Sequence, residues 1–338
     1  MGAERKLIMP RVRRLGMWYQ LALAEDTIPP SVVLSTDADA IVYDTFEVTA
    51  TFSEDVTGFV LGDVTVTNGV ASNFNTVSAS VYTFDIDGSS NGTVAIDINA
   101  AVCTDLSGNP NTAAVQLTRT YDSNLLLWWK LEDAYGSATA LDSGPGMYTG
   151  TATSMTFEAF LGPDGVSPAP DFNGSDSRVN SVDATLRTAL TNASADKGTL
   201  VVWGKVDAGT WTDGTRRVLL QYYVNASNVL TIRKSTTNNT IEFLYIAGGT
   251  TTQINVGSLS STAWQCFGLT WNRTTNELKA YIDGIQVGVT TTISGTWSGT
   301  VAAILVGNTA NAWDGGGAGV KAWNRELSQP ELVVEATP

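Results

Sequence analysis

The chain of 338 residues contains no histidine. That removes the commonest general base near neutral pH and the commonest metal ligand, so serine–histidine triads and histidine-based zinc sites are excluded. Cysteine is scarce as well. Cys103 and Cys266 stand far apart in apolar, strand-like surroundings, and two buried free thiols are expected in preference to one disulfide. Basic residues are in deficit, 19 against 33 acidic, and the net charge of −14 repels nucleic acid backbones. No apolar run approaches the roughly 20 residues of a membrane-spanning helix. No amphipathic helical pattern is evident, and the sequence carries no Walker-type, Rossmann-type or nucleophile-elbow motif.

What remains is a folded composition, 43% hydrophobic and 15% charged. Its length favours two domains with a short appendage. The appendage is residues 1–26, which carry Arg5, Lys6, Arg11, Arg13 and Arg14 ahead of Trp18 and Tyr19. A basic arm of this kind suits anchoring on an acidic surface. The same stretch, with Ala22-Leu23-Ala24 before Glu25, also has the outline of a secretory signal.

In residues 27–122, "FEVTATF" alternates Phe46, Val48, Ala50 and Phe52 with polar residues. "VYTFDID" and "TVAIDI" repeat that pattern, with Asn, Gly and Pro turns between them. Alternation of period two marks half-buried strands, and short strands at this spacing predict an antiparallel sandwich. The motifs "TFSEDVTGF" and "DLSGNPN" resemble bacterial Ig-like domains of large surface proteins, which implies a spacer or adhesion module. Asp55, Asp87 and Asp105 are oxygen donors that could hold calcium, or turn residues bonding their own backbone.

Residues 123–338 read as further strands: "TLVVWGKV", "VLTIRKS", "IEFLYIA", "WQCFGLTWN", "ELKAYIDG" and "VAAILVGN". Turns rich in Gly, Ser, Thr and Asn separate them, which predicts a jelly-roll sandwich. "LLWWKLEDAYGS", "PAPDFNGSDSRV", "LTWNRTTNELKAYIDGIQVG" and "GAGVKAWNREL" resemble, in order, blocks of laminin-G-like, concanavalin A-like lectin domains. That family places acidic residues before the last strand, where this chain has Ala318 and Gly319. "GVKAW" is therefore expected to close a sheet rather than form a ligand site. Glycosidases of the same broad fold need two carboxylates at fixed separation; Glu132 and Asp133 are adjacent and would point to opposite faces of a strand.

The expectation is a non-enzymatic, all-β protein displayed on a virion surface as a capsid decoration or fibre component. In this reading the arm docks on a capsid or other particle protein, the Ig-like domain spaces, and the lectin-like domain binds glycans through multivalent display. The alternatives are a structural decoration protein without sugar binding and a secreted or cell-surface bacterial adhesin. Sugar recognition calls for exposed aromatic faces and hydrogen-bonding side chains on loops. The candidates are Trp211, Asp213, Arg216, Trp297, Asn308, Asn311, Trp313 and Asp314, and Asn173 with Asp176 could hold a calcium ion.

Overall fold

The computed structural model describes residues 26–207 and 209–338, together with the backbone of 12–14 and 17–19. Arg5, Lys6 and Arg11 of the expected arm lie outside the described residues. The backbone of Arg13 and Arg14 pairs with that of Trp18 and Met17 in a short antiparallel hairpin. The chain divides into two units, Met1–Asp122 and Ser123–Pro338. Both are β-sandwiches, so the protein is nearly all β.

In the first unit the predicted alternation becomes the core. One four-stranded sheet runs in the order Val32–Ser35, Phe46–Phe52, Val81–Gly88, Gly69–Thr76. The other runs Ile41–Val42, Leu117–Tyr121, Gly92–Ile98, Val64–Thr67. Val48, Ala50, Phe84, Ile86, Val94 and Ile96 meet between them. Phe52, Phe59 and Tyr82 close one end of that core with ring centroids 5.0–5.9 Å apart, in the edge-to-face arrangement that ring quadrupoles favour.

The second unit stacks two eight-stranded sheets. The first contains, in order, Met155–Leu161, Pro168–Asn173, Asp314–Trp323, Lys197–Gly204, Gln265–Asn272, Glu277–Ile282 and Ile285–Thr292, with Leu125–Trp129 also paired to Asp314–Trp323. The second runs Thr139–Ala140, Gly150–Thr153, Arg178–Ser181, Ala303–Gly307, Arg217–Asn225, Asn228–Lys234, Ile241–Ala247, Thr250–Val256.

Asp314–Trp323 is the seam of the first sheet, pairing with Lys197–Gly204 on one side and with two successive strands on the other. Its glycines are packing residues: a Cβ on Gly316 would stand 2.6 Å from the Trp264 ring, and one on Gly317 2.7 Å from Phe172. The closing role expected of "GVKAW" is thus the one the strand has.

One expectation fails. Residues Ala184–Ala195 form a 12-residue α-helix, capped by Asp183, whose carboxylate accepts from the N–H groups of Thr185 and Leu186. Leu186, Leu190 and Ala193 recur at helical spacing and are buried. The Thr, Ser and Asn residues between them give that stripe the composition of a loop. A second, shorter helix spans Gln329–Glu335. Among the described residues no helix is long and apolar enough to cross a membrane. Both cysteines are free and buried, and burial pushes the Cys103 thiol up to about 11.

Candidate functional site

The first concentration of chemistry is at one end of the Ig-like sandwich. Carboxylate oxygens of Asp26, Glu54 and Asp105 all lie within 4.8 Å of one another. Asp105 is built into its place by the turn that follows it. Its Oδ1 accepts from the N–H groups of Ser107 and Asn109, both at 2.8 Å, and its Oδ2 accepts from Asn109 Nδ2 at 2.8 Å. The second Nδ2 hydrogen of Asn109 reaches the carbonyl of Asp26 at 3.0 Å, tying the start of the domain to the same loop. Burial raises the Asp105 carboxyl, but these hydrogen bonds outweigh it and hold it below the usual carboxylate range. Glu54 moves the other way, raised by desolvation and then by the charges of Asp105 and Asp26. Three hard oxygen donors, one of them disfavoured as an anion by its neighbours, form a set that could hold a calcium ion. Of the three carboxylates singled out from the sequence in this domain, Asp105 belongs to the group and Asp55 and Asp87 do not. Glu54 is the sequence neighbour of Asp55, and only the tertiary fold decides which of the two carboxylates, and that Asp26 with it, meets Asp105.

The second concentration is a rim of the larger sandwich, where Trp211, Asp213, Trp313 and Asp314 come together. The tryptophans are not exposed there. Trp313 is 0% exposed and Trp211 5%. The two rings meet edge to face at 6.4 Å, and Phe267 adds a further edge-to-face contact to Trp313 at 6.4 Å. Their indole N–H groups are satisfied internally, Trp211 donating to the Ser261 carbonyl at 2.7 Å and Trp313 to the Lys205 carbonyl at 2.9 Å. Trp297 is 8% exposed and packs on Tyr245 at 5.7 Å. None of the three offers a face for stacking on a sugar, which corrects the expectation: each indole is packed into the apolar core.

The polar candidates of this rim are mostly engaged with one another. Asp213 accepts from Lys234 Nζ at 2.7 Å and from Arg217 Nη2 at 2.8 Å. Burial pushes its carboxyl up, yet the hydrogen bonds from Lys234, Arg217 and the Thr215 N–H prevail and hold it below the usual value of 3.8. Asp314 accepts from Thr210 Oγ1 at 2.9 Å and stands 3.6 Å from Arg217. Arg217 also donates to the Gly174 carbonyl. The arginine that organises the rim is therefore Arg217 and not Arg216, which is exposed. Asn311 gives its carbonyl to the Val218 N–H. Asn308 lies apart from this network, its Nδ2 donating to Gln221 Oε1 at 3.2 Å.

Asn173 and Asp176 serve a turn. Asn173 Oδ1 accepts from the N–H groups of Ser175, Asp176 and Ser177, and its Nδ2 donates to Asp176 Oδ1 at 2.9 Å. With Ser154 Oγ on the other Asp176 oxygen, the oxygens expected to hold calcium are engaged in shaping the loop, as Asx residues commonly are.

Residues 26–121 match the sequence model of the bacterial Ig-like domain family. No curated protein matches the chain. Among solved structures, an HCR/D mutant is similar over 63% of this chain and 51% of its own, with a TM-score of 0.50 and 12% identity. The receptor binding domain of the botulinum neurotoxin C/D mosaic serotype covers the same shares at a TM-score of 0.49 and 13% identity. The binding domain of botulinum neurotoxin DC, solved in complex with rat synaptotagmin II, does so at 0.48 and 13%. The chain spans about half the length of these structures, and at such identities the likeness is one of fold. Residues 26–121 thus form a bacterial Ig-like domain, carried in a chain built of two β-sandwich units.

Proposed function

We propose that the protein is a non-enzymatic surface adhesion protein, displayed on a virion as a capsid decoration or fibre component. The Ig-like domain spaces, the larger sandwich binds glycans, and the basic N-terminal segment docks on a capsid or other particle protein. The observation that carries the reading is the joining of a bacterial Ig-like domain to a second, larger sandwich whose sequence blocks resemble lectin-like domains. Weak binding at single sites would gain strength from many copies on one particle.

The test is binding of the full chain, biotinylated and clustered on streptavidin, to an array of neutral and acidic glycans. Binding to a defined subset is expected. If no glycan is retained at any density, the adhesion reading fails and a structural decoration protein takes its place.

Calcium at Asp26, Glu54 and Asp105 belongs to the same proposal, because an ion there would stiffen the start of the spacer. At calcium a hundredfold above its dissociation constant, linkage stabilises the Ig-like domain by about 2.7 kcal/mol. Calorimetry with calcium and then with chelator should show that transition rise and return, and Glu54→Gln should lose most of the response. An unchanged transition in wild type would remove the site from the reading.

A further inference from the structure

On the side turned away from the core, the first sheet of the larger sandwich carries an open cleft of about 430 Å³. Leu278, Ala280 and Ile282 belong to the core cluster, so the alternation of Glu277–Ile282 turns Glu277, Lys279 and Tyr281 to the outer face. Gln286 stands opposite Tyr281 on the neighbouring strand. The other wall is laid down by the chain after it leaves the seam strand. Thr199 Oγ1 donates to the Arg325 carbonyl at 2.8 Å and accepts from the Leu327 N–H at 2.9 Å. These two bonds pin the turn of "NREL" across the sheet and bring Glu326, Ser328 and Gln329 along the cleft, where Gln329 opens the C-terminal helix. The floor is closed and the walls are accessible. Tyr281 is 4% exposed and Leu327 2%, whereas Ser328 and Gln329 are exposed and Lys279, Gln286 and Glu326 are half-buried. The volume is within the range of clefts that take small organic ligands.

The polar groups of the cleft keep hydrogen-bonding capacity of both kinds. Lys279 Nζ donates to Glu326 Oε1 at 2.8 Å and to Glu277 Oε2 at 2.9 Å, which leaves one of its three hydrogens. Glu326 Oε2 accepts from Asn272 Nδ2 at 3.0 Å, and each carboxylate oxygen retains a second lone pair. Gln286 donates to Thr290 Oγ1 at 3.1 Å and keeps its carbonyl. The exposed Gln329 amide offers a donor and an acceptor. A spare donor on Lys279 thus stands beside spare acceptors on Glu326. Two hydroxyls on adjacent carbons match that pair, one accepting from the ammonium and the other donating to the carboxylate.

From this arrangement we infer that the cleft between Lys279 and Gln329 is a glycan subsite, and that its ligand is a neutral sugar with adjacent free hydroxyls. The inference rests on the glycan-binding reading above and gives that reading a place on the molecule. Charge narrows the occupant. Lys279 is the one cation among the lining residues and already holds two carboxylates. Arg325 is paired with Glu331 at 2.7 Å, and Lys197 stands two strands away, beside Asn272. An acidic sugar would meet the excess of carboxylates, and an amine would have to displace Lys279 from both of its partners. Because the aromatic floor is buried, hydrogen bonds rather than ring stacking hold the sugar, so single sites bind weakly and multivalent display supplies the strength.

The experiment places full-length variants, biotinylated and clustered on streptavidin, on an array of neutral and acidic oligosaccharides, with each variant's fold checked by its melting curve. Wild type is expected to bind neutral members, and periodate, which cleaves bonds between hydroxyl-bearing carbons, should abolish that binding. Gln286→Ala and Gln329→Ala should each raise the half-maximal concentration about two- to tenfold, the loss of a neutral hydrogen bond, and Lys279→Met about tenfold or more, the loss of a charged one. Gln329→Trp fills the cleft and should abolish binding; the two glutamine positions supply the test if Lys279→Met fails to fold. Binding that is unchanged in Gln329→Trp, resists periodate or favours acidic members overturns this inference while leaving glycan recognition intact. No binding by wild type overturns both. A concentration-dependent dimer abolished by Gln329→Trp, with glycan binding unaffected, assigns the cleft to a second copy and also overturns the inference.

Discussion

Trp313→Ala is expected to destabilise the larger sandwich by about 3–5 kcal/mol, the range for deleting a large buried aromatic. The indole is 0% exposed, so its removal leaves a cavity against Trp211 and Phe267 and strands the Lys205 carbonyl that accepted its N–H. The cost has two parts, lost transfer free energy and incomplete collapse of the surroundings. Gly204 limits that collapse from below: a Cβ there would stand 3.3 Å from the Trp313 ring, so backbone already abuts the indole. Urea unfolding of the full chain, followed by tryptophan fluorescence, should show the transition of this unit at a lower midpoint with an unchanged slope. A tryptophan stacked on sugar at the surface would give the opposite pattern, with an unchanged midpoint and lost binding. The measurement therefore separates the core role seen in the structure from the ligand role that "NAWDGGG" suggests when read alone.

A comparable loss, about 3–5 kcal/mol, is expected for Asp213→Ala. Lys234 is completely buried, and its ammonium is held by Asp213 at 2.7 Å and by the carbonyls of Thr215 at 2.8 Å and Ser235 at 3.1 Å. Deleting the carboxylate leaves a buried charge with dipoles only. Lys234→Met removes both the charge and its desolvation, and it should be far milder than Asp213→Ala, since apolar replacement of a buried ion pair is often neutral. The two effects are not additive, because Arg217 shares the carboxylate. The sign of the pH dependence follows from the depressed Asp213 carboxyl. A group whose folded value lies below its unfolded one contributes stability above the unfolded value, here near 3.8, and loses it as pH falls through the folded one. Wild type should therefore lose stability more steeply than Lys234→Met below about pH 4. Equal slopes would show that the ion pair contributes nothing.

The strands were legible because alternation is a local signal. "FEVTATF" and "IEFLYIA" coincide with Phe46–Phe52 and Ile241–Ala247 to the residue. The helix Ala184–Ala195 was not legible, because only three of its buried residues, Leu186, Leu190 and Ala193, are apolar, standing among Thr, Ser and Asn, and the cap at Asp183 reads equally as a turn. The candidate site was legible in residue type and misleading in orientation. Trp211 and Trp313 each sit within two residues of an Asp and a Gly, as loop residues do, yet the fold inserts both indoles into the core. Arg216 and Arg217 are adjacent and chemically equivalent on paper; the start of the strand at Arg217 decides which one meets Asp213 and the Gly174 carbonyl.

Local pattern thus determined the class of structure: two sandwiches, free thiols, a last strand that closes a sheet, and a charge that disfavours nucleic acid. What only the tertiary structure decided is which distant residues share a surface. Asp26 meets Asp105 across 79 positions, Asn180 stands beside Leu305, and Leu305 beside Gln221. Period-two alternation states that a residue points to one face or the other. Strand order and register decide which neighbours it finds there and whether that face is covered, and both are set by pairing between segments far apart in the chain.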